Sequence, residues 1–434
     1  MFSTLDLRGR ATTPAELLAL VPRAETDVAD ASAAAAALID DVRARGGEAL
    51  RNHSERFDGL RPDRIRVPED DIATAVDALD PALREAVEET IARVRAASAA
   101  QVPPARFTEL APGARVEQRW VPVDRVGVYV PGGKAIYPSS VVMNVVPAQV
   151  AGVSSIALAS PVQREHGGVH PVVLAVAGLL GVTEVYAMGG ASAIGAFAHG
   201  VPDIGLAPVS VVTGPGNVYV AAAKRVVSGI VGTDAEAGPT DILVIADASA
   251  NPRWVAADLL SQAEHDELAS AVLVTTDPSW AELVTAELER QVAETTHVDR
   301  VVAALNGPQS KLVLVDSLDQ AVAFANAYAP EHLEVVVADP EPLLARLGNA
   351  GVVFVGPHAP VALGDYMAGS NHVLPTGGQA RYRAGLSAAT FLKAQQLVRY
   401  DREGLEPLRE RIETFAAAEG LPAHGAAVTI RFEE

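Results

Sequence analysis

From residue 14 to about residue 100, apolar positions recur every three to four residues in stretches such as ASAAAAALIDDVRARGG and PALREAVEETIARVRAASAAQ. That spacing predicts helices, the second opened by a proline. At ARVEQRWVPVDRVGVYVPGG the period falls to two and β-branched residues take over, ending in the breaker Pro131-Gly132-Gly133. From there to about residue 240, short apolar runs (SSIALAS, EVYAMGG, VSVVTGPGN) alternate with helical stretches (SSVVMNVVPAQVAG, HPVVLAVAGLLG, NVYVAAAKRVVSG). A second series follows: TDILVIAD, a helix from Pro252 to about Leu268, ASAVLVTT, a helix from about Ser279, KLVLVDS, a helix through Asn326, HLEVVVAD and GVVFVG. Repeated strand, turn and helix is the mark of parallel sheets covered by helices. After about residue 385 the pattern predicts helix to the end, including FLKAQQLVRYDREGLEPLRERIETFAAAEG, in the manner of a docking tail. The fold class is therefore α/β, with two Rossmann-like parallel-sheet domains and helical N-terminal and C-terminal extensions.

Composition narrows the function. The 434 residues are 49% apolar and 20% charged, enough for two or three real cores. With 34 Lys+Arg against 54 Asp+Glu the net charge is −20, which repels nucleic acid and anionic membranes, and no basic patch offsets it. Zero cysteines exclude disulfides, thiolate nucleophiles, iron–sulfur clusters and cysteine-bound zinc, so a metal must be held by His, Asp, Glu or Gln. The start MFSTLDLRGRATT lacks the apolar core of a secretory signal, and PVVLAVAGLLGV is too short to span a bilayer. The reading is cytoplasmic.

Of the ten histidines, His53, His199 and His297 sit in ordinary helical or loop settings. His166 and His170 are four apart, but QREHGGVHP is a Gly-broken loop that would not hold them on one helix face. DLLSQAEHDE differs, because a helix there would place Gln262 and His265 one above the other, the start of a metal site or a solvated helix face. In PEHLEVVV, Glu331 and His332 offer two titratable groups with different ordinary pKa values for acid/base work. Neighbours in a regular strand point to opposite faces, so both can serve one site only where the strand start is irregular, as Pro330 allows. Asp365, in a loop between Gly364 and Tyr366, is a hard oxygen ligand candidate, and His372 follows in a Gly-Ser-Asn-His turn. Taken alone, each of these reads as a cap or turn residue before it reads as a ligand.

No regular dinucleotide fingerprint is present. Gly-rich corners occur at Tyr129 to Gly133, Met188 to Gly195 and Thr213 to Asn217. The latter two lie between a strand and a helix, where backbone N–H groups can receive phosphate or ribose oxygens, as they can in any generic α/β turn.

Taken in order, VPVDRVGVYVPGG, GGASAIG, TGPGNVYV, AEAGPTDILVIAD, DLLSQAEHDE, APEHLE, LGDYMAGSNHVLPT and EGLPAHGAAV resemble the histidinol dehydrogenases, from Leu5 to the C-terminus. The resemblance implies a zinc enzyme that oxidises L-histidinol through L-histidinaldehyde to L-histidine with two NAD⁺, in histidine biosynthesis. It implies one zinc per subunit, held by Gln262, His265, Asp365 and His424. His332 would be the base in both oxidations, and Glu331 would activate the water that hydrates the aldehyde. The substrate would be bordered by Thr240, Gln262, His265, His332, Asp365, His372, Glu419 and His424, with the Glu419 carboxylate facing its ammonium group. Tyr129, Ser192 and Asn217 would contact NAD⁺. Ser192 stands where the family often carries Gln, and Thr240 where it often carries Ser.

The implied organisation is an arm at 1–20, a discontinuous α/β domain at 21–128 and 241–385 bearing the zinc and acid/base residues, an NAD-binding α/β domain at 129–240, and a tail at 386–434. The tail would be exchanged with the partner in a homodimer, with no nucleic acid or membrane involved. Other readings of the same residues are a zinc- and NAD-dependent dehydrogenase of another small polar alcohol, a zinc hydrolase using Glu331, or a silent binding protein. The hydrolase leaves the Gly-rich corners without a task.

Overall fold

The structure, a computed structural model, describes residues 3–24, 28–132, 136–235 and 238–433. Gly133 of the breaker lies outside them. The chain forms two compact units, one of Met1–Gln101 with Asp124–Phe391, the other of Val102–Val123 with Leu392–Glu434. No helix is long and apolar enough to cross a membrane among the described residues.

The first unit holds both parallel sheets. One has six strands in the order Ser3–Asp6, Lys311–Leu314, Ser270–Thr275, Asp241–Ala246, His332–Val336 and Val352–Val355. DILVIA and SAVLVT are buried at every position, as strands covered on both faces must be. Alternate residues feed opposite cores. Ile242, Val244 and Leu273 meet the helices Pro252–Ala263, Pro278–Val292 and Val298–Asn306, whereas Leu243, Ile245 and Val274 meet Pro14–Leu20 and Leu318–Tyr328. These helices start where the sequence supplies a cap followed by proline: Asn251 accepts from Arg253 N–H, and Asp277 from Ser279 and Trp280 N–H.

The second sheet runs Val185–Ala187, Ser155–Ser160, Arg125–Tyr129, Val211–Thr213, Gly232–Thr233, all parallel. One face packs on Val28–Arg45, Gly47–Phe57, Gly190–His199 and Val218–Val227, through a core that includes Ile39, Val42, Tyr186 and Phe197.

Three expectations are corrected here. The helices of residues 28–100, assigned with 241–385, pack instead on the five-stranded side: Glu69–Asp77 lies on Pro171–Leu179, and Pro81–Ala100 on Pro138–Ala151. The apolar stripe of a helix shows that it is covered, not by which sheet. The arm at 1–20 is not an appendage, because Ser3–Asp6 is an edge strand of the six-stranded sheet. The tail is not helical throughout, since Leu392–Tyr400 is a strand paired antiparallel with Ala114–Pro122, which also pairs with Arg106–Ala111. Pairing along nine residues overrides the helix-forming Lys, Ala and Gln of LKAQQLVRY. Helices Arg409–Ala418 and Pro422–Thr429 complete this second unit.

Candidate active site

The acid/base pair sits where a strand begins abnormally. Helix Leu318–Tyr328 ends in Ala329, whose φ of 49° is the sole left-handed backbone at a non-glycine among the described residues. The chain passes Pro330 and Glu331 before the strand starts at His332. Alternation has not yet set in, so the two side chains stay together, Glu331 Oε2 lying 3.7 Å from His332 Nδ1. Both are buried, at 6% and 4% exposure.

A chain of hydrogen bonds orders the pair. Gln262 Nε2 donates to Thr240 Oγ1 at 2.6 Å, and that hydroxyl donates to Glu331 Oε2 at 2.6 Å. The same oxygen accepts from Asp241 N–H at 3.1 Å, and Asp241 Oδ1 accepts from Glu331 N–H at 2.7 Å. His332 Nδ1 bonds the backbone carbonyl of Asp241 at 3.0 Å. A carbonyl can only accept, so Nδ1 carries the proton and Nε2 is left with a lone pair. Asp241 escaped the sequence reading, although an acid opening the otherwise apolar run DILVIA was its signal.

Burial dominates the titration. It pushes the Glu331 carboxyl up to about 7, against the lowering effect of the Thr240 and Asp241 hydrogen bonds. Asp241 is also pushed up to about 7, by burial and then by the Glu331 charge. His332 is lowered by burial, which the Asp365 carboxylate partly opposes.

Around this pair the structure gathers most of the expected ligands. His265 and Asp365 both act electrostatically on Glu331 and on His372. Helix Pro252–Ala263 stops short of Leu268, since Asp266 turns its carboxylate onto Leu268 N–H, so His265 follows the helix instead of riding on it. A bond from His265 N–H to the Gln262 carbonyl, 3.3 Å, continues the winding. Asp365 likewise belongs to a short helix, Val361–Tyr366, and not to a loop. Its carbonyl accepts from His372 Nδ1 at 3.0 Å, leaving His372 Nε2 to accept from Ser140 Oγ at 3.3 Å. Ser140, at the start of a helix reading as plain core, gave no sequence signal.

Among the described residues, no group of three or more His, Asp or Glu within the chain is arranged to hold a metal. The donor set nevertheless fits one. Gln262 is buried, and its Oε1 has no hydrogen-bond partner among the described residues while its Nε2 is engaged. A buried carbonyl oxygen in that state lacks the partner that burial normally demands. A cation beside His265 and Asp365 would supply it, in an oxygen and nitrogen set suited to zinc.

The second group of candidates lies on the five-stranded sheet. Strand order reverses between Arg125–Tyr129 and Val211–Thr213, and in such sheets ligands bind beyond the carboxyl ends at that switch point. Tyr129 and the Thr213–Asn217 turn stand there. Tyr129 Oη accepts from Gly190 N–H at 3.1 Å, and burial pushes its hydroxyl up to about 12. Asn217 is exposed and caps helix Val218–Val227 through Tyr219 and Val220 N–H. Ser192, in contrast, is buried and bonded to His53 Nδ1 at 2.8 Å. Its hydroxyl is turned into the core, toward a histidine that also meets Asp41 at 2.9 Å.

Glu419 and His424 belong to the second unit, where both are exposed, one capping helix Arg409–Ala418 and the other on Pro422–Thr429. The loop histidines His166 and His170 do come together, ring centroids 4.4 Å apart, but His170 Nδ1 is engaged in capping Val172 N–H.

A doubly wound α/β protein with a buried Glu–His pair at one sheet and a topological switch point at the other is built as a dehydrogenase is. The family model for histidinol dehydrogenase matches residues 21–432. The histidinol dehydrogenase of Leifsonia xyli subsp. xyli is 64% identical over 99% of both chains, and that of Thermobifida fusca 56% identical over 99% of this chain and 98% of its own. The crystal structure of histidinol dehydrogenase from Elizabethkingia anophelis superposes with a TM-score of 0.93 at 33% identity, covering 100% of this chain and 98% of that one. The chain belongs to the histidinol dehydrogenase family, and it is an oxidoreductase.

Proposed function

We propose that the protein oxidises L-histidinol through L-histidinaldehyde to L-histidine with two NAD⁺, as a cytoplasmic homodimer with one zinc per subunit. The observation that carries this reading is the buried chain from Gln262 through Thr240 to Glu331 beside His332, with Gln262 Oε1 left unpartnered. Gln262, His265 and Asp365, with His424 from the exchanged tail, would hold the zinc. When bound, zinc would anchor and orient the imidazole and amino nitrogens of the substrate, and NAD⁺ would take up the hydrides.

The protein's own groups manage the protons. His332 Nε2 takes the alcohol proton as the carbon loses its first hydride. Glu331, pushed up to about 7, can both accept and return a proton near neutrality, and removes one from the water that adds to the aldehyde carbon. The aldehyde oxygen takes back the proton held on His332 Nε2 as the hydrate forms, and the base so freed takes a hydroxyl proton of the hydrate as the second hydride leaves, giving the carboxylic acid. His372 and Glu419 border the substrate. Tyr129 and Asn217 face the dinucleotide at the switch point, with Ser192 supporting the corner.

The second unit supports the dimer. It leaves Phe107, Val398, Phe415 and Ile430 exposed by 65%, 67%, 72% and 63%, apolar surface that a partner subunit would cover. The test is stoichiometry: zinc-loaded protein with L-histidinol and NAD⁺ should form about two NADH per histidine. One NADH per turnover, with aldehyde accumulating, would refute the two-step reading, and NADH from another alcohol only would refute the substrate.

A further inference from the structure

The Thr213–Asn217 turn is clamped from below by two charges that the acid/base chemistry does not use. Lys224, on the helix that Asn217 caps, and Asp234, just after strand Gly232–Thr233, are buried at 1% and 6% exposure. Lys224 Nζ pairs with Asp234 Oδ1. Two further contacts of the pair converge on the backbone of one residue: Lys224 Nζ donates to the Gly214 carbonyl at 2.5 Å, and Asp234 Oδ2 accepts from Gly214 N–H at 2.8 Å.

Gly214 itself has φ +119°, and a Cβ there would run into the backbone carbonyl of Tyr129. The turn is thus pressed against the other corner residue, with no room for any side chain at 214. A buried ion pair is weak as a stabilising device, because desolvation offsets most of its attraction and an apolar pair would serve as well. What an apolar pair cannot do is hold both the donor and the acceptor of a strained glycine. The residue before it, Thr213, has a buried Oγ1 with no hydrogen-bond partner among the described residues.

We propose that Lys224 and Asp234 are positioning residues for the dinucleotide: together they fix both backbone groups of Gly214, and so set the Gly-Pro-Gly-Asn turn and Asn217 against Tyr129. The inference rests on the placement of NAD⁺ at Tyr129 and Asn217. Pre-setting the turn removes the ordering that binding would otherwise have to impose.

The experiment uses the zinc-loaded full-length protein and the double variant Lys224→Met/Asp234→Leu, which replaces the pair by apolar side chains without leaving a lone buried charge. NADH dissociation constants come from fluorescence titration, alongside melting temperature, both KM values and kcat. Asn217→Ala serves as the control for the site. The double variant should melt close to the parent and bind NADH on the order of tenfold more weakly, with KM for NAD⁺ raised in step and KM for histidinol nearly unchanged. Asp234→Asn, nearly isosteric and still offering an oxygen to Gly214 N–H, should weaken NADH by less, about threefold. If Asn217→Ala weakens NADH and both clamp variants do not, the clamp is wrong and the site stands. If Asn217→Ala also leaves NADH binding unchanged, the site reading fails and takes the clamp with it. A loss spread equally over both KM values and kcat would reduce the pair to general structural support and overturn the proposal.

Discussion

His332 Nδ1 donates to the backbone carbonyl of Asp241 at 3.0 Å, across two adjacent parallel strands. Because that acceptor cannot donate, the bond selects the tautomer with a free Nε2 lone pair, and the ring is further held by stacking on Phe354, centroids 6.2 Å apart. The same residue, Asp241, accepts from the Glu331 backbone. One acid at the start of a buried strand therefore orients both members of the pair.

His332→Asn keeps an N–H that can reach the Asp241 carbonyl and removes the Nε2 base. Both oxidations should fall by about 10²- to 10⁴-fold in kcat, the usual worth of a positioned base, with little change in KM for histidinol or in melting temperature. Steady-state NADH formation from histidinol and from histidinaldehyde, measured separately, checks this. An aldehyde step that kept its rate would show that a different group serves it.

Thr240 joins Gln262 to Glu331, and its hydroxyl lowers a carboxyl that burial otherwise pushes up to about 7. Removing it in Thr240→Val raises the Glu331 pKa. In its proposed role Glu331 is ionised to activate water, so the rise of histidinaldehyde oxidation with pH should move alkaline by roughly one pH unit, the scale of one hydrogen bond to a charged group. Thr240→Ser should restore the parent profile. A Val profile identical to the parent's would detach Glu331 from the aldehyde step.

Much of this was legible in the chain. SQAEHDE, PEHLE and GSNHVLP marked the proposed ligand and acid/base positions, and five of the residues they flag act on one another in the structure: Gln262 through Thr240, then His265, Glu331, His332 and His372. Continuous apolar runs identified the buried parallel strands. What could not be read is what depends on distant partners. Asp241 and Ser140 are ordinary residues until folding sets His332 and His372 beside them. The strand Leu392–Tyr400 has helix-favouring composition, and only its partner Ala114–Pro122 decides otherwise. Ser192 sits in a promising Gly-rich corner, yet the side its hydroxyl faces is set by His53, far away in sequence.

Asp258 and Glu334 line one small cavity beside Pro360 and carry raised pKa values, Asp258 up to about 6 and Glu334 well above the ordinary carboxylate range, both chiefly through burial. Glu334 Oε1 accepts from Val361 N–H at 2.7 Å, and the Glu334 and Asp258 carboxyls are hydrogen-bonded to each other. Two acids this placed favour a bound proton in the folded state. Their contribution to stability is therefore full below the unfolded values near 4 and is lost as pH rises through the folded values. Glu334→Gln keeps the acceptor for Val361 and can donate to Asp258 without a proton. Its melting temperature should exceed the parent's at pH 8, on the order of 2 °C, and converge with it at pH 5. Calorimetry across that range checks the sign, and a variant less stable at pH 8 would exclude a proton-sharing pair.

The proposed exchange of the tail makes the sharpest prediction about assembly. His265 lies in the first unit and His424 in the second, so in a tail-exchanged dimer each zinc site draws them from different subunits. His265→Ala and His424→Ala should each abolish activity and zinc retention while leaving a folded dimer, since both side chains are exposed. When the two variants are co-expressed, the heterodimer carries one site that has lost both ligands and one that has lost neither. Random pairing makes about half of the dimers mixed, each with one working site of two, so about a quarter of the parent activity should return. Zinc content should recover in the same proportion. If each tail instead serves its own subunit, every site keeps a missing ligand in every combination, and no activity returns at any ratio of the two variants.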